Sequence, residues 1–386
     1  VSARRAATAI CAGSSLLVGY TFAGYPALIA LLARIRPRPV QADPGHEPRV
    51  TVIVVAHNEQ ELIEHKLRDT LALDYPADRL DVVVVCDGSD DETVSRASRV
   101  AGVTVLHEPE RRGKLDAMNR AFDATDGEVV VFSDANNRYS ANTLRELVAP
   151  LADPAVGVVT GRKGIDDGSG RPLDQAEGLY WRYESKIKTW ESTVGSVSAG
   201  VGEMLAFRRE AYQRPAPGML TEDFVQILLA AAEGWRVVYA PAAISLERAS
   251  TTIEDEAVRR SRLMTGAWQA TWSVLPRLAL RRPGLAWQVA SHKTSRLMVP
   301  WALLAIAAST LSLVRTERWA RRLGAAQCGF YASALAGRAC ERAGRRNRWL
   351  YLPYYFCRMN VAALDGLRKF LLEEDTGGVW ERVPRG

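Results

Sequence analysis

Asp134 and Asn136 stand two residues apart at the end of an apolar run, Val129–Phe132, within GEVVVFSDANNR. A carboxylate and a carboxamide oxygen at that spacing can hold a divalent cation beside a diphosphate. An Asx-rich turn reads the same from those residues alone, so the pair gains meaning from its company. Two further acidic clusters follow apolar runs or open helical ones: Asp87-Gly88-Ser89-Asp90-Asp91 after Val82–Val85, and Thr221-Glu222-Asp223 before an apolar stretch ending near Ala232. A carboxylate in the last cluster could take the proton of an attacking hydroxyl, although first-turn acids of any helix look alike. Thr221 is the expected N-cap there, and Asp90 or Asp91 the cap of the helix after the DGSDD loop. Lys114, after Arg111-Arg112-Gly113, begins another helical pattern, where an ammonium and backbone N–H groups can face a diphosphate together. Arg259, Arg260 and Arg262 cluster on a later helical segment.

These groups must be positioned by a sheet. Val50–Val55 leads into Ala56-His57-Asn58-Glu59 and a helix through Leu71; Val82–Val85, Val103–Leu106 and Val129–Phe132 are each followed by a polar loop and a helix. A short strand is expected at Val156–Thr160 and a last one at Trp235–Tyr239, with Gly178–Ser192 and a long segment from Ile253 helical. Alternation of buried-type strands with helices predicts a mostly parallel α/β sheet covered on both faces, with ligands beyond the carboxyl ends of the strands.

The 386 residues carry a net charge of +6, but the basic residues concentrate near two uncharged apolar runs, which suits anionic lipid better than nucleic acid. Ala6–Ala33 holds 28 uncharged residues and Leu297–Val314 holds 18, each enough to span a bilayer. The first is expected to be an uncleaved anchor, since its apolar core is too long for a signal peptide and apolar sequence continues past Pro26. Arg34, Arg36, Arg38 and Arg49 outweigh Arg4 and Arg5 and place the intervening domain in the cytoplasm. From Pro276 to Arg296 basic residues mix with tryptophan without acids, as in helices lying on a membrane surface. Leu323–Gly337 and Leu350–Leu372 could span, re-enter or lie in the interface. The five cysteines have no metal-ligand spacing, and no Gly-x-Gly-x-x-Gly follows the first strand, which excludes a dehydrogenase.

VIVVAHNE, VVVCDGSDDET, RRGKLDAMNRA, VVVFSDAN, a glycine loop leading into AFRRE, TED, and an Arg-rich segment before an apolar run occur in one order. In this the chain resembles the membrane-bound, polysaccharide-type members of glycosyltransferase family 2, relatives of cellulose, hyaluronan and poly-N-acetylglucosamine synthases. The resemblance runs from Arg49 to Arg296. It implies a GT-A fold, a Rossmann-like cytoplasmic α/β domain flanked by transmembrane and interfacial helices, and an inverting transfer from a UDP-sugar to a polysaccharide or lipid-linked acceptor. A glycolipid synthase making one transfer and a non-catalytic nucleotide-binding membrane subunit are the alternatives. The implied organisation is an anchor over 1–36, a catalytic domain over 49–252, interface helices over 253–296, a membrane region over 297–372 and a cytoplasmic tail over 373–386.

Residue by residue, the resemblance implies that Ala56, Glu59 and Asp87 line the nucleotide cleft, with Asp87 toward uracil. Lys114, Arg259 and Arg262 are expected at the donor, Asp134 and Asn136 at Mg²⁺ or Mn²⁺, Gly200 and Glu222 at the acceptor, and Asp223 as the base. Two departures stand out. Asn136 occupies the place of a second aspartate, which predicts weaker metal affinity. Arg259-Arg260-Ser261-Arg262-Leu263 replaces Gln-x-x-Arg-Trp, which puts processive synthesis in doubt. Trp380, Glu381, Arg382 and Arg385 resemble family C-termini.

Overall fold

The computed structural model describes residues 2–165, 172–248, 250–345 and 347–372; the 373–386 tail and its Trp380 motif lie outside them. Among the described residues eight strands form one sheet: β1 (Val50–Ala56), β2 (Leu80–Asp87), β3 (Val103–Glu108), β4 (Val129–Asp134), β5 (Arg138–Tyr139), β6 (Val156–Ile165), β7 (Leu205–Arg208) and β8 (Arg236–Glu247), in the order β3-β2-β1-β4-β7-β6-β8-β5. β3, β2, β1 and β4 are parallel, β7 runs antiparallel between β4 and β6, and β8 is parallel to β6. All seven residues of β1 are buried, as its run of valine, isoleucine and threonine requires of a central strand.

Sheet pairing decides which loop residues meet. Val55 lies opposite Asp134 and Ala56 opposite Cys86, so the loops after β1, β2 and β4 emerge at one edge. Val54, Val84 and Val131 pack with Leu144 and Leu147 on one face; Ile53, Val130 and Phe207 pack with Ile227 and Leu228 on the other. Each fully buried side chain of this kind contributes about 1.5–3 kcal/mol, which holds the strand ends in register.

The expected strands all form, but β6 and β8 continue well past Thr160 and Tyr239, and β5 follows so closely on the Asp134 loop that no hydrophobic pattern marks it. Thr221 does occupy the N-cap position of helix Glu222–Ala232, yet its hydroxyl makes no capping bond and packs against Gly266 instead. After β2 the N-cap position of helix Thr93–Ala97 falls to Glu92, which makes no side-chain capping bond, rather than to Asp90 or Asp91; Asp91, one residue earlier, accepts from the Thr93 amide.

Among the described residues two helices are long and apolar enough to cross a membrane: Ser2–Ile35 and Pro283–Leu313, of 34 and 31 residues. The second starts at Pro283 rather than Leu297, because its first turns carry His292, Lys293 and Arg296 against carboxylates of helix Pro172–Val194. Within the Pro276–Arg296 stretch, helix Leu275–Arg281 is separate, and the remainder from Pro283 runs on into the long apolar helix.

Candidate active site

Beyond the sheet edge lies a cavity of about 400 Å³. It is lined by Lys114, Asp134, Asn136, Gly200, Glu222, Asp223, Arg259 and Arg262, eight of the residues the motifs single out. β4 delivers Asp134, helix Glu222–Ala232 presents Glu222 and Asp223 from its first turn, and helix Ile253–Ser273 carries the arginines.

Lys114 Nζ lies 2.8 Å from Asp134 Oδ1 and 2.9 Å from Glu222 Oε1. Burial alone would lower its pKa, but the two carboxylates more than offset that and hold it charged, above the ordinary lysine range. Asp223 behaves oppositely. Burial, then the neighbouring Glu222, push it up to about 6, while Lys114 opposes the shift. A buried carboxyl poised near neutrality is suited to accept a proton. Gly202 packs against it: a Cβ there would sit 3.1 Å from that of Asp223, so the glycine loop Gly200–Gly202 forms the floor beside the base.

The oxygens of the β4 loop suit a divalent cation. Asn136 Oδ1 is shielded from solvent and no described group donates a hydrogen bond to it, while Asp134 Oδ1 already draws the Lys114 ammonium. Both are hard oxygen donors, matched to Mg²⁺ or Mn²⁺. Among the described residues no cluster of three His, Cys, Asp or Glu side chains forms a complete ligand set.

Three expected residues are not brought to this cavity. Ala56, Glu59 and Asp87 are buried at the strand ends. Asp87 accepts hydrogen bonds from the amides of Gly113 at 2.7 Å and Arg112 at 3.1 Å, and Arg120 Nη2 lies at 3.2 Å. Its carboxylate thus fastens the loop that carries Lys114. Gly88, at φ +62°, lets the Arg111 backbone approach; a Cβ there would meet it at 2.6 Å. Arg259 reaches the cavity wall but is engaged by Glu256 at 2.8 Å and Glu177 at 3.4 Å. Arg262 has no carboxylate partner among the described residues, which leaves it the arginine available to an anion.

Sequence reasoning missed a buried layer beneath the β4 loop. Lys66 Nζ donates to Asn137 Oδ1 at 2.8 Å, and burial pushes its pKa down to about 7 against the pull of Asp134 and Glu203. Lys163 pairs with Glu203 at 2.9 Å and with Glu247. The available signal was Lys66 itself, which interrupts the apolar face formed by Ile63, Leu67 and Thr70.

Residues 51–214 match the family model described as "Glycosyl transferase family 2", so the chain carries a glycosyltransferase family 2 domain. Glycosyltransferase AglD of Haloferax volcanii is 34% identical over 125 residues, covering 31% of this chain and 20% of that protein. A beta-monoglucosyldiacylglycerol synthase of Trichormus variabilis is 28% identical over 204 residues, covering 50% of this chain and 42% of the synthase. The chain thus spans a fifth of the length of the first relative and under half of the second. Among solved structures, the mannosyltransferase PcManGT of Pyrobaculum calidifontis, in complex with GDP-Man and Mn²⁺, is 28% identical with a TM-score of 0.69, covering 95% of this chain and 99% of that one. The fold is GT-A, and a divalent metal and a nucleotide sugar accompany it in that neighbour.

Proposed function

We propose that this chain is a membrane-anchored, metal-dependent inverting glycosyltransferase of hexosyltransferase type, transferring a sugar from a nucleoside diphosphate donor to a polysaccharide or lipid-linked acceptor. The observation that carries this reading is the convergence of a base, an anion clamp and two oxygen donors, the Asp134 carboxylate and the Asn136 amide, on one cavity. Asp223 takes the acceptor hydroxyl's proton as that oxygen attacks the anomeric carbon, and a single displacement inverts the configuration there. Arg262 and Lys114 meet the diphosphate, the lysine exchanging carboxylate partners for phosphate oxygens. Asp134 and Asn136 would hold Mg²⁺ or Mn²⁺, which supplies charge neutralisation for the departing nucleotide.

The motifs favour UDP, but Asp87 spends hydrogen-bonding capacity on the chain's own amides, and PcManGT is titled with GDP-Man. Leu263, which lines the cavity where processive synthases carry tryptophan, favours a single transfer to a lipid-linked acceptor over a long polymer. The exposed apolar side chains Leu16 and Leu311 on the two long helices support placement in a bilayer.

The test is donor-dependent nucleotide release by purified, detergent-solubilised protein over a panel of UDP- and GDP-sugars with Mn²⁺ or Mg²⁺. Release with at least one donor, lost in Asp134→Ala, is the expected outcome. Nucleotide binding without release from any donor would instead identify a non-catalytic subunit.

A further inference from the structure

A second cavity, of about 900 Å³, shares Lys163 and Trp181 with the first. That common wall is firm: the Lys163 ammonium lies 5.4 Å from the Trp181 ring centroid and is ion-paired to Glu203 behind it. On the far side the lining divides into two kinds of surface. Arg162, Arg182 and Lys186 are exposed cations that have no carboxylate partner among the described residues. The same lining carries large apolar side chains left open to solvent: Leu179 at 49%, Leu246 at 45%, Leu352 at 36% and Trp349 at 70% exposure. Single exposed leucines need no explanation, but four large apolar groups facing one cavity mark a binding surface.

Cations without a carboxylate partner among the described residues, beside a hydrocarbon-like wall, match an amphiphile with an anionic head. A neutral oligosaccharide would instead call for several carboxylates and amides to bond its hydroxyls, and among the described lining residues these are limited to the buried Asp174 and the amide of Gln175. Position agrees. Leu352 and Trp349 lie on helix Arg348–Leu371, which packs on Arg318–Arg342, and that helix reaches the candidate membrane helix through Gln327 Nε2, 3.0 Å from Thr310 Oγ1. We propose that this cavity binds the phosphate-bearing lipid end of the acceptor, with Arg182, Lys186 and Arg162 on the phosphate and Leu179, Leu246 and Leu352 on the hydrocarbon. The sugar-accepting end then passes Trp181 toward Asp223. The assignment rests on the glycosyltransferase reading above.

The probe is a dodecyl phosphate carrying a diazirine on its chain, photolysed with the full chain in phosphatidylcholine nanodiscs and mapped by peptide mass spectrometry. Labels are expected on peptides containing Leu179, Leu246 or Leu352, displaced by dodecyl phosphate but not by dodecanol or inorganic phosphate. Arg182→Gln with Lys186→Gln should reduce labelling about tenfold, the loss of two charge-assisted contacts at a partly exposed site. Gly178→Leu should reduce it equally by filling the space; a Cβ there meets only Arg182 Nη1, at 3.6 Å, so the helix tolerates the change. Labelling unaffected by these variants, or competed equally by phosphatidylglycerol, overturns the acceptor assignment. Donor-dependent nucleotide release in the same samples separates the two readings, since its absence in the native protein would remove the glycosyltransferase function whatever the labelling shows.

Discussion

Asp223 shows how a single residue acquires a role from its surroundings. Its carboxyl is pushed up to about 6 by burial first and by Glu222 second. The base works only when deprotonated, so turnover should rise with pH through an acidic limb near 6 and be lost below it. In Glu222→Gln the neighbouring charge is gone and the limb should move toward the ordinary aspartate range, with most of the turnover retained above it. Asp223→Asn keeps the shape but cannot accept a proton, so turnover should fall about 10²-fold or more while nucleotide binding by calorimetry is little changed. Normal turnover in Asp223→Asn with a dead Glu222→Gln would move the base by one residue. Asn136 makes a complementary case: Asn136→Asp places a charged oxygen where an orphaned amide oxygen now points, and the metal concentration for half-maximal activity should drop. An unmoved metal requirement would remove Asn136 from the ligand set.

At the scale of elements, the start of helix Glu222–Ala232 is set by packing rather than by a cap. Thr221 lies against Gly266 of helix Ile253–Ser273, where a Cβ would come within 2.6 Å of the threonine side chain. Gly266→Ala should therefore push the Thr221-Glu222-Asp223 turn away from the glycine loop. Overpacking of this kind costs about 1–3 kcal/mol in stability, and turnover should fall more than nucleotide affinity because Asp223 moves with the turn while Lys114 keeps its second anchor on Asp134. Equal losses in both would mean the variant is merely destabilised, which thermal unfolding would reveal. The sequence could announce Thr221 as a helix start because threonine before two acids has a local signature. It could not announce Gly266, whose purpose exists only once two distant helices meet. The same division holds elsewhere. Asp134 and Asp223 were legible because one closes and the other opens a recognisable run, whereas the clasp of Asp87 on the Arg112 and Gly113 amides, and the pairing of Lys163 with Glu203, depend on contacts between segments remote in sequence. Arg259 and Arg262 are indistinguishable by spacing; only the buried Glu256 and Glu177 separate an engaged arginine from an available one.

For the whole molecule the question is where hydrocarbon would begin along helix Pro283–Leu313. Its first turns are unsuited to lipid: His292 Nδ1 lies 2.8 Å from Glu191, and Lys293 Nζ donates to Glu184 at 2.7 Å with Arg296 beside it. Tyr20 of the N-terminal helix bonds Ser291 at 2.7 Å, and Tyr25 donates to Glu191. Both long helices are thus fastened to helix Pro172–Val194 at the end nearer the catalytic domain, with their charges satisfied by protein. Past Arg296 exposed apolar side chains, Met298, Trp301, Leu304 and Leu311, alternate with the buried Leu297, Val299 and Ala302. The exposed apolar run therefore begins at Met298 although the helix begins earlier. At the far ends Arg4 pairs with Glu317, so the two helices run side by side in opposite directions. With the denser arginine cluster after the first helix on the cytoplasmic side, cysteines placed singly at Gly45 and Thr316, both exposed, should lie on opposite faces of the membrane. In a background with the five native cysteines changed to alanine, an impermeant maleimide applied to intact cells should label Thr316→Cys and leave Gly45→Cys untouched until the cells are broken. Labelling of both from outside would invert the catalytic domain. Labelling of neither from outside, with both labelled after lysis, would show that the helices do not cross.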